Sequence, residues 1–460
     1  MDYKVRKNQY LPITELRVAT MAVAIASGGF SIAGHCQQAT STVQDVTSTP
    51  VDPDSLKEKG VNVTLPGTTD TILNDVGGIR STLASYGVGF LAFDLNNFAD
   101  NILPNSQGAS RTTQTYNGQR PSYSTTSWLI VTYDLSRFGI PDGQITAIGM
   151  GQEYSWNPGG PTRLGIGALT YYQTMFDRRV ELKIGLLHST FEFVGPYVGG
   201  TLAASVFGSS ASIPTQGGLD SATTPTPGVV LRYNFSPSLY TKATLQRAVD
   251  PDGPVAEVDN NRTGFDWRTP NTGVIYLDEI GYQRSASSGS PMTWLRGGGA
   301  YNTSDYQNDE FPGTRTGGNR FFYLLGDRQL WQVSDHPSAA YRGVYAGFSA
   351  MYAPPNLNRF TQYYEFRLYG IGLMESRPTD MVSLVATDNI FSKYLVDSAI
   401  NAGEMAHRDS KAVTLSYNAH LSRGIYAGIG VSYVDHPTSV TYTAATGHAV
   451  NLLTNLNFFF

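Results

Sequence analysis

The sequence holds a single cysteine, Cys36, so no disulfide can form within the chain. Charge is scarce as well. Asp, Glu, Lys and Arg make up 15% of the residues, where a water-soluble domain carries about a quarter. Nor is there a basic excess. Setting aside the four basic and two acidic residues of positions 1–33 moves the net charge from -5 to about -7, which argues against nucleic acid as a partner. Beyond residue 34 no run approaches the ~20 apolar residues of a membrane helix. G-x-S-x-G, C-x-x-C, H-E-x-x-H and phosphate-loop motifs are all missing. The seven histidines are scattered, and neither Glu404, His407 and Asp409 nor the pairs Asp335-His336 and Asp435-His436 have further ligands at metal-site spacing. An enzyme is therefore not expected, nor is any metal or cofactor.

Glycine and aromatics are plentiful, with 48 Gly, 28 Tyr and an aromatic share of 12%. Together with low charge and no long apolar run, that composition suits a wall whose hydrophobic signal is diluted by alternation. The N-terminus sets the compartment. Lys4, Arg6, Lys7 and Arg17 precede an apolar, small-residue run from Val18 to Gly34, and Ser31-Ile32-Ala33 offers a cleavage site. Residues 1–33 are expected to be a cleaved secretory signal peptide. Residues 34–69, rich in Thr, Ser, Val, Pro and Asp, read as a disordered periplasmic leader. A short helix over 70–86 is expected at the base of the wall, capped by Asp70 or Thr71, striped by Ile72, Leu73, Val76, Ile79 and Leu83, and ended by Gly87.

From Gly87 onward sixteen alternating segments recur, from Val88–Phe98 to Ala449–Phe460. Tight connections such as Ser236-Pro237-Ser238 alternate with long ones at 188–227 and 249–271. An even strand number with short turns on one side and long loops on the other predicts an all-β, transmembrane antiparallel β-barrel over 87–460. The last strand places Val450, Leu452, Thr454, Leu456, Phe458 and Phe460 on the lipid side and Asn451, Asn455 and Asn457 inside. The same alternation directs Glu181, Lys183, Arg232, Lys242, Arg296, Glu365 and Arg367 inward, since a cation on the lipid face near the midplane costs roughly 2–4 kcal/mol. In Arg320–Gln332 charges occur on both parities, which a bulge would reconcile.

A lumen with both guanidinium donors and carboxylate acceptors can replace the hydration of sugar hydroxyls step by step, and Tyr240 or Trp294 offers a face for stacking. Pairing among these charges, with no solute involved, is the alternative for any single residue.

The order of segments resembles the carbohydrate-selective porins of the bacterial outer membrane. The residues that carry this are Gly77-Gly78-Ile79-Arg80, Val180-Glu181-Leu182-Lys183-Ile184-Gly185-Leu186, Pro227-Gly228-Val229-Val230-Leu231-Arg232-Tyr233, Glu279-Ile280-Gly281-Tyr282, Gly326-Asp327-Arg328-Gln329-Leu330-Trp331 and Gly370-Ile371-Gly372-Leu373. The resemblance implies gradient-driven diffusion of neutral sugars through the outer membrane of a Gram-negative cell. It also implies a constriction at Phe191, Glu192 and Phe193, and a homotrimer. The terminal aromatic implies contact with the barrel-assembly machinery. A general diffusion porin and, from another class, a barrel enzyme or adhesin are the rival readings.

Overall fold

The structure, a computed structural model, describes residues 51–63, 65–106, 109, 113–156, 160–194 and 212–460. The expected signal peptide lies outside these. The described residues form sixteen strands: β1 (Val88–Asn101), β2 (Ser122–Asp134), β3 (Gln144–Tyr154), β4 (Arg163–Met175), β5 (Val180–Leu187), β6 (Thr226–Asn234), β7 (Leu239–Arg247) and β8 (Val274–Arg284). The second half comprises β9 (Thr293–Gln307), β10 (Arg315–Gln332), β11 (Gly343–Tyr352), β12 (Phe360–Ile371), β13 (Met381–Phe391), β14 (Asp409–Ser422), β15 (Ile425–Asp435) and β16 (His448–Phe459). Each strand pairs antiparallel with its sequence neighbours, and β1 pairs with β16, so the sheet closes with no open edge.

The outer wall is apolar because period-2 alternation sends one row of each strand to it. Ile184, Leu231, Leu245, Ile280, Leu324, Phe366, Leu384, Leu415, Ile429 and Val431 are among the exposed residues of that surface. In β10, Arg320 and Arg328 face outward on either side of Phe322 and Leu324, while Asp327 faces inward. Eight residues span about 27 Å of strand, close to the ~25 Å apolar band of such barrels. The two arginines thus bracket the band. The register shifts fall at Gly317/Asn319 and Gln329/Trp331, so no bulge separates them.

On β1 to β4 the inner face is apolar too, while Leu129, Val131, Ile145 and Leu169 keep the outer face apolar. Leu91, Phe93, Leu95, Trp128, Ile130, Ile148 and Met150 form an apolar cluster on the inner face with Phe459. Asp94 and Asn96 lie on the opposite face of β1, where both approach Thr125.

The N-terminal segment corrects the expectation of a disordered leader for its described part. Residues 51–69 include 3₁₀ turns at Pro53–Leu56 and from Thr68 to Asp70, and Leu56 is buried. Thr132 and Gln144 of the wall donate to the main-chain oxygen of Leu56, and Gln144 accepts from the Lys59 amide at 2.9 Å. Turn-rich composition carries no periodicity, yet these backbone groups find partners on the wall. The helix expected over 70–86 is shorter: α1 covers Ile79–Ser85, after a 3₁₀ turn at Val76–Gly78 with Gly77 and Gly78 at positive φ. Its Ile72-to-Ile79 stripe is exposed rather than packed on the wall. Arg80 is the residue that turns inward, donating to the oxygens of Phe90 and Phe460 at 2.7 Å each.

Candidate permeation constriction

After β5 the chain folds into the barrel. A 3₁₀ turn at Ser189–Phe191 leads to Val194, and α2 (Ser212–Gln216) leads back to β6. Phe193, Val194, Ile213 and Leu219 of this inward loop pack in one apolar cluster with Ile275, Leu277, Phe321, Tyr323, Leu325, Met351 and Tyr363 from the inner faces of β8 to β12. Loop carbonyls buried there need donors, and the wall supplies them. Arg296 donates to the oxygens of Phe193 and Val194 at 2.6 and 2.7 Å. Lys242 donates to the oxygen of Glu192 at 2.8 Å. Asn302 donates to Gly217, and Gln216 reaches Phe360 and Asn358.

The two limbs of the loop meet at Asp220. Its carboxylate accepts from the Ser189 amide at 2.9 Å and from Gln246 at 2.7 Å. Burial pushes this carboxyl up to about 6, against the pull of those donors.

Beneath the loop is a buried charge cluster. Lys183 lies 2.9 Å from Glu192 and 3.7 Å from Glu58, and His188 Nε2 is 2.8 Å from the same Glu58 oxygen. Burial alone would raise the Glu58 carboxyl, but His188 and Lys183 outweigh it and hold the group below the usual carboxylate range. Asn62 completes the attachment: its amide donates to Phe191 at 3.0 Å and its side chain to Glu192. The N-terminal segment is thus strapped to the inward loop.

The inward charges therefore divide into two groups. Lys183, Lys242, Arg296 and Arg367 are at most 5% exposed, because each is engaged by a carbonyl or a carboxylate rather than facing an open bore. Arg367 holds Asp327 through two bonds of 3.0 and 2.8 Å and also pairs with Glu365. Arg232 and Glu181 stay more open, each side chain 20% exposed, 3.5 Å apart. Tyr172 donates to Glu181 at 2.9 Å, and the Arg232 guanidinium lies 4.0 Å from the Tyr240 ring centre. Trp294 donates to the Tyr240 hydroxyl and lies under Arg296, which leaves neither ring free on both faces. Phe191, Glu192 and Phe193 all sit in the inward loop, Phe193 fully buried and Phe191 edge-on to Trp128.

Glu58, His188 and Asp220 join this site without having been singled out from the sequence, and Glu279, quoted there only for the family resemblance, joins it as well. Glu279 accepts from Tyr240 at 2.9 Å and Tyr323 at 2.7 Å. It shares the inner row of β8 with Ile275 and Leu277, so alternation alone would have found it. Gly281 makes this possible, since a Cβ there would meet the Tyr240 ring at 2.2 Å.

The profile of the family "Carbohydrate-selective porin, OprB family" matches residues 138–458. The chain belongs to that family. The porin is similar in fold to the high-pH structure of Pseudomonas putida OprB at 15% identity, over 85% of this chain and 99% of that one, with a TM-score of 0.70. The low-pH structure of the same P. putida protein covers 85% of this chain and 98% of its own at 14% identity, with a TM-score of 0.53. A sequence comparison with curated proteins finds no match. Family membership makes this an outer-membrane channel for sugar diffusion, not an enzyme. The barrel supplies the path, and the wall donors just described fix the loop that folds into it.

Proposed function

We propose that the porin passes glucose-type monosaccharides or small oligosaccharides down their gradient, with selectivity set beside the inward loop. The observation that supports this is the partly exposed pair of Arg232 and Glu181, with the buried Tyr172 beside it. Together they offer a forked donor, a carboxylate acceptor and a phenol at one place on the wall. Because Arg232 and Glu181 already pair with each other, a sugar must compete with that contact, which keeps binding weak enough for exit. Liposome swelling tests the reading: glucose and maltose should enter faster than amino acids or organic acids of equal size. Rates that follow size alone would instead mark a general diffusion porin.

The exported chain loses residues 1–33 as a signal peptide and reaches the membrane through the barrel-assembly machinery, which reads its terminal aromatic strand. N-terminal sequencing of the protein purified from outer membranes tests the cleavage. A homotrimer is supported by a polar patch on the otherwise apolar outer face of β1 and β2, formed by Asp94, Asn96 and Thr125. A carboxylate facing lipid is costly, whereas a second copy can cover it. Chemical cross-linking in detergent should give a three-chain species, and a single-chain species alone would overturn the trimer.

A further inference from the structure

Glu58 is held in the manner of a bound ligand. Its side chain is 3% exposed, and its oxygen Oε1 faces both Lys183 Nζ and His188 Nε2, whose side chains are each 2% exposed. The cations belong to β5 and the turn after it, whereas the carboxylate comes from a segment about 130 residues earlier in the chain. His188 Nδ1 is buried with no hydrogen-bond partner among the described residues, so the ring retains unused hydrogen-bonding capacity at this place.

Glu58 sits in a dense field of buried charge. Lys183, Arg232, Lys242 and Arg296 face Glu58, Glu181, Glu192 and Glu279. Withdrawing Glu58 takes away the carboxylate that His188 Nε2 meets at 2.8 Å and leaves Lys183 with Glu192 as its one ion-pair partner among the described residues, a costly loss in a low-dielectric interior. The segment is attached by a few hydrogen bonds, at Leu56, Lys59 and Asn62, and Gly60 lies against the ring of Tyr172 and the stem of Lys183. The wall partners Thr132 and Gln144 belong to the periplasmic ends of β2 and β3. Glu58 therefore enters from the periplasmic side and ends just below the inward loop.

We propose that Lys183 and His188 form a carboxylate subsite on the periplasmic side of the constriction, which Glu58 fills and which the carboxylate of an aldonic or uronic acid occupies when the strap is displaced. The inference rests on the sugar-channel reading and extends it to anionic sugars. An internal carboxylate competing for the site lowers its apparent affinity by the fraction of time the site stands empty. The wild-type pore thus favours neutral sugars, and the strap is what enforces this.

The test uses the full-length porin in planar bilayers, with glucose and glucuronate each titrated as blockers of ion current. In Glu58→Ala the ratio of the half-blocking concentration of glucose to that of glucuronate should rise at least about fivefold over the parent, the gain expected when a competing occupant is removed. Glu58→Gln, which keeps the shape of the side chain, should raise it in the same direction. The double variant Glu58→Ala, Lys183→Gln should return the ratio to the parent's value. A ratio that stays put in both single variants, or a gain that survives loss of Lys183, would overturn the subsite. Parent pores that glucose does not block would instead count against the sugar-channel reading. The two failures are therefore distinct.

Discussion

Arg296 holds Phe193 by its main-chain oxygen at 2.6 Å, so an arginine of the barrel wall acts on the constriction through the backbone of the loop. Lys242 does the same for Glu192. These cations locate a narrow point without being its surface. Arg296→Ala should leave the oxygens of Phe193 and Val194 buried and unpaired, at about 1–3 kcal/mol each. The loop is then expected to open locally rather than pay that cost in place, and single-channel conductance should rise with a noisier open state. An unchanged, quiet conductance would mean the loop is fixed by its apolar packing alone.

Arg232 and Arg367 separate recognition from structure. Arg232 is partly exposed beside Glu181, and Arg232→Ala should weaken glucose block of ion current several-fold with little change in heat resistance of the folded barrel. Arg367 is buried against Asp327 and Glu365. Arg367→Ala strands both carboxylates, and removing one partner of a buried pair costs about 3–5 kcal/mol. Its main effect should be a lower unfolding temperature on semi-native gels. Equal effects of the two substitutions on sugar block would contradict this division.

How far the sequence revealed this arrangement differs from one part of the chain to another. Alternation in β5, β6, β7 and β12 assigns each charge to a face, because a one-residue slip would put Lys183 or Arg367 into lipid. It says nothing of what a side chain meets across the barrel. The partner of Arg296 is the carbonyl of a residue 103 positions earlier, and such a contact leaves no local pattern. Glu58 was hidden for the same reason: turn-forming residues from Pro53 to Pro66 look like a tether until the wall that receives them exists. Arg320 and Arg328 looked at odds with Asp327 only because the place of the apolar band along the strand was unknown; with β10 starting at Arg315, the two arginines lie at the band's two edges.

Asp220 provides a pH signature. Its carboxyl is raised by burial to about 6 in the folded loop, against 3.8 for the free group. A raised folded value contributes stability that is fully present below the unfolded value and lost as pH rises through the folded one. The thermal stability of the inward loop should therefore decline between about pH 4 and pH 6, on this group's account. In Asp220→Asn that part of the slope should vanish. Loop stability is readable by protease cleavage near residues 189–194 as a function of temperature. An identical slope in parent and variant would assign the titration elsewhere.

Arg80 and the terminal strand form a seam whose role can be separated from transport. Arg80 links Phe90 of β1 to the terminal oxygen of Phe460, and its guanidinium lies 4.2 Å from the Phe90 ring centre. Phe459 packs inside against Phe93 and Tyr426. Deleting Phe458–Phe460 removes the β1–β16 register at Phe93 and Asp94 along with one of the two acceptors of Arg80, leaving the end of the closing seam as an open edge. The truncated chain should reach the outer membrane at a small fraction of the parent's level, while each inserted pore conducts nearly as the parent does. Arg80→Ala, which keeps the strand and loses only the clasp, should insert normally and unfold at a lower temperature. Normal membrane levels of the truncated chain would show that closure does not depend on this seam.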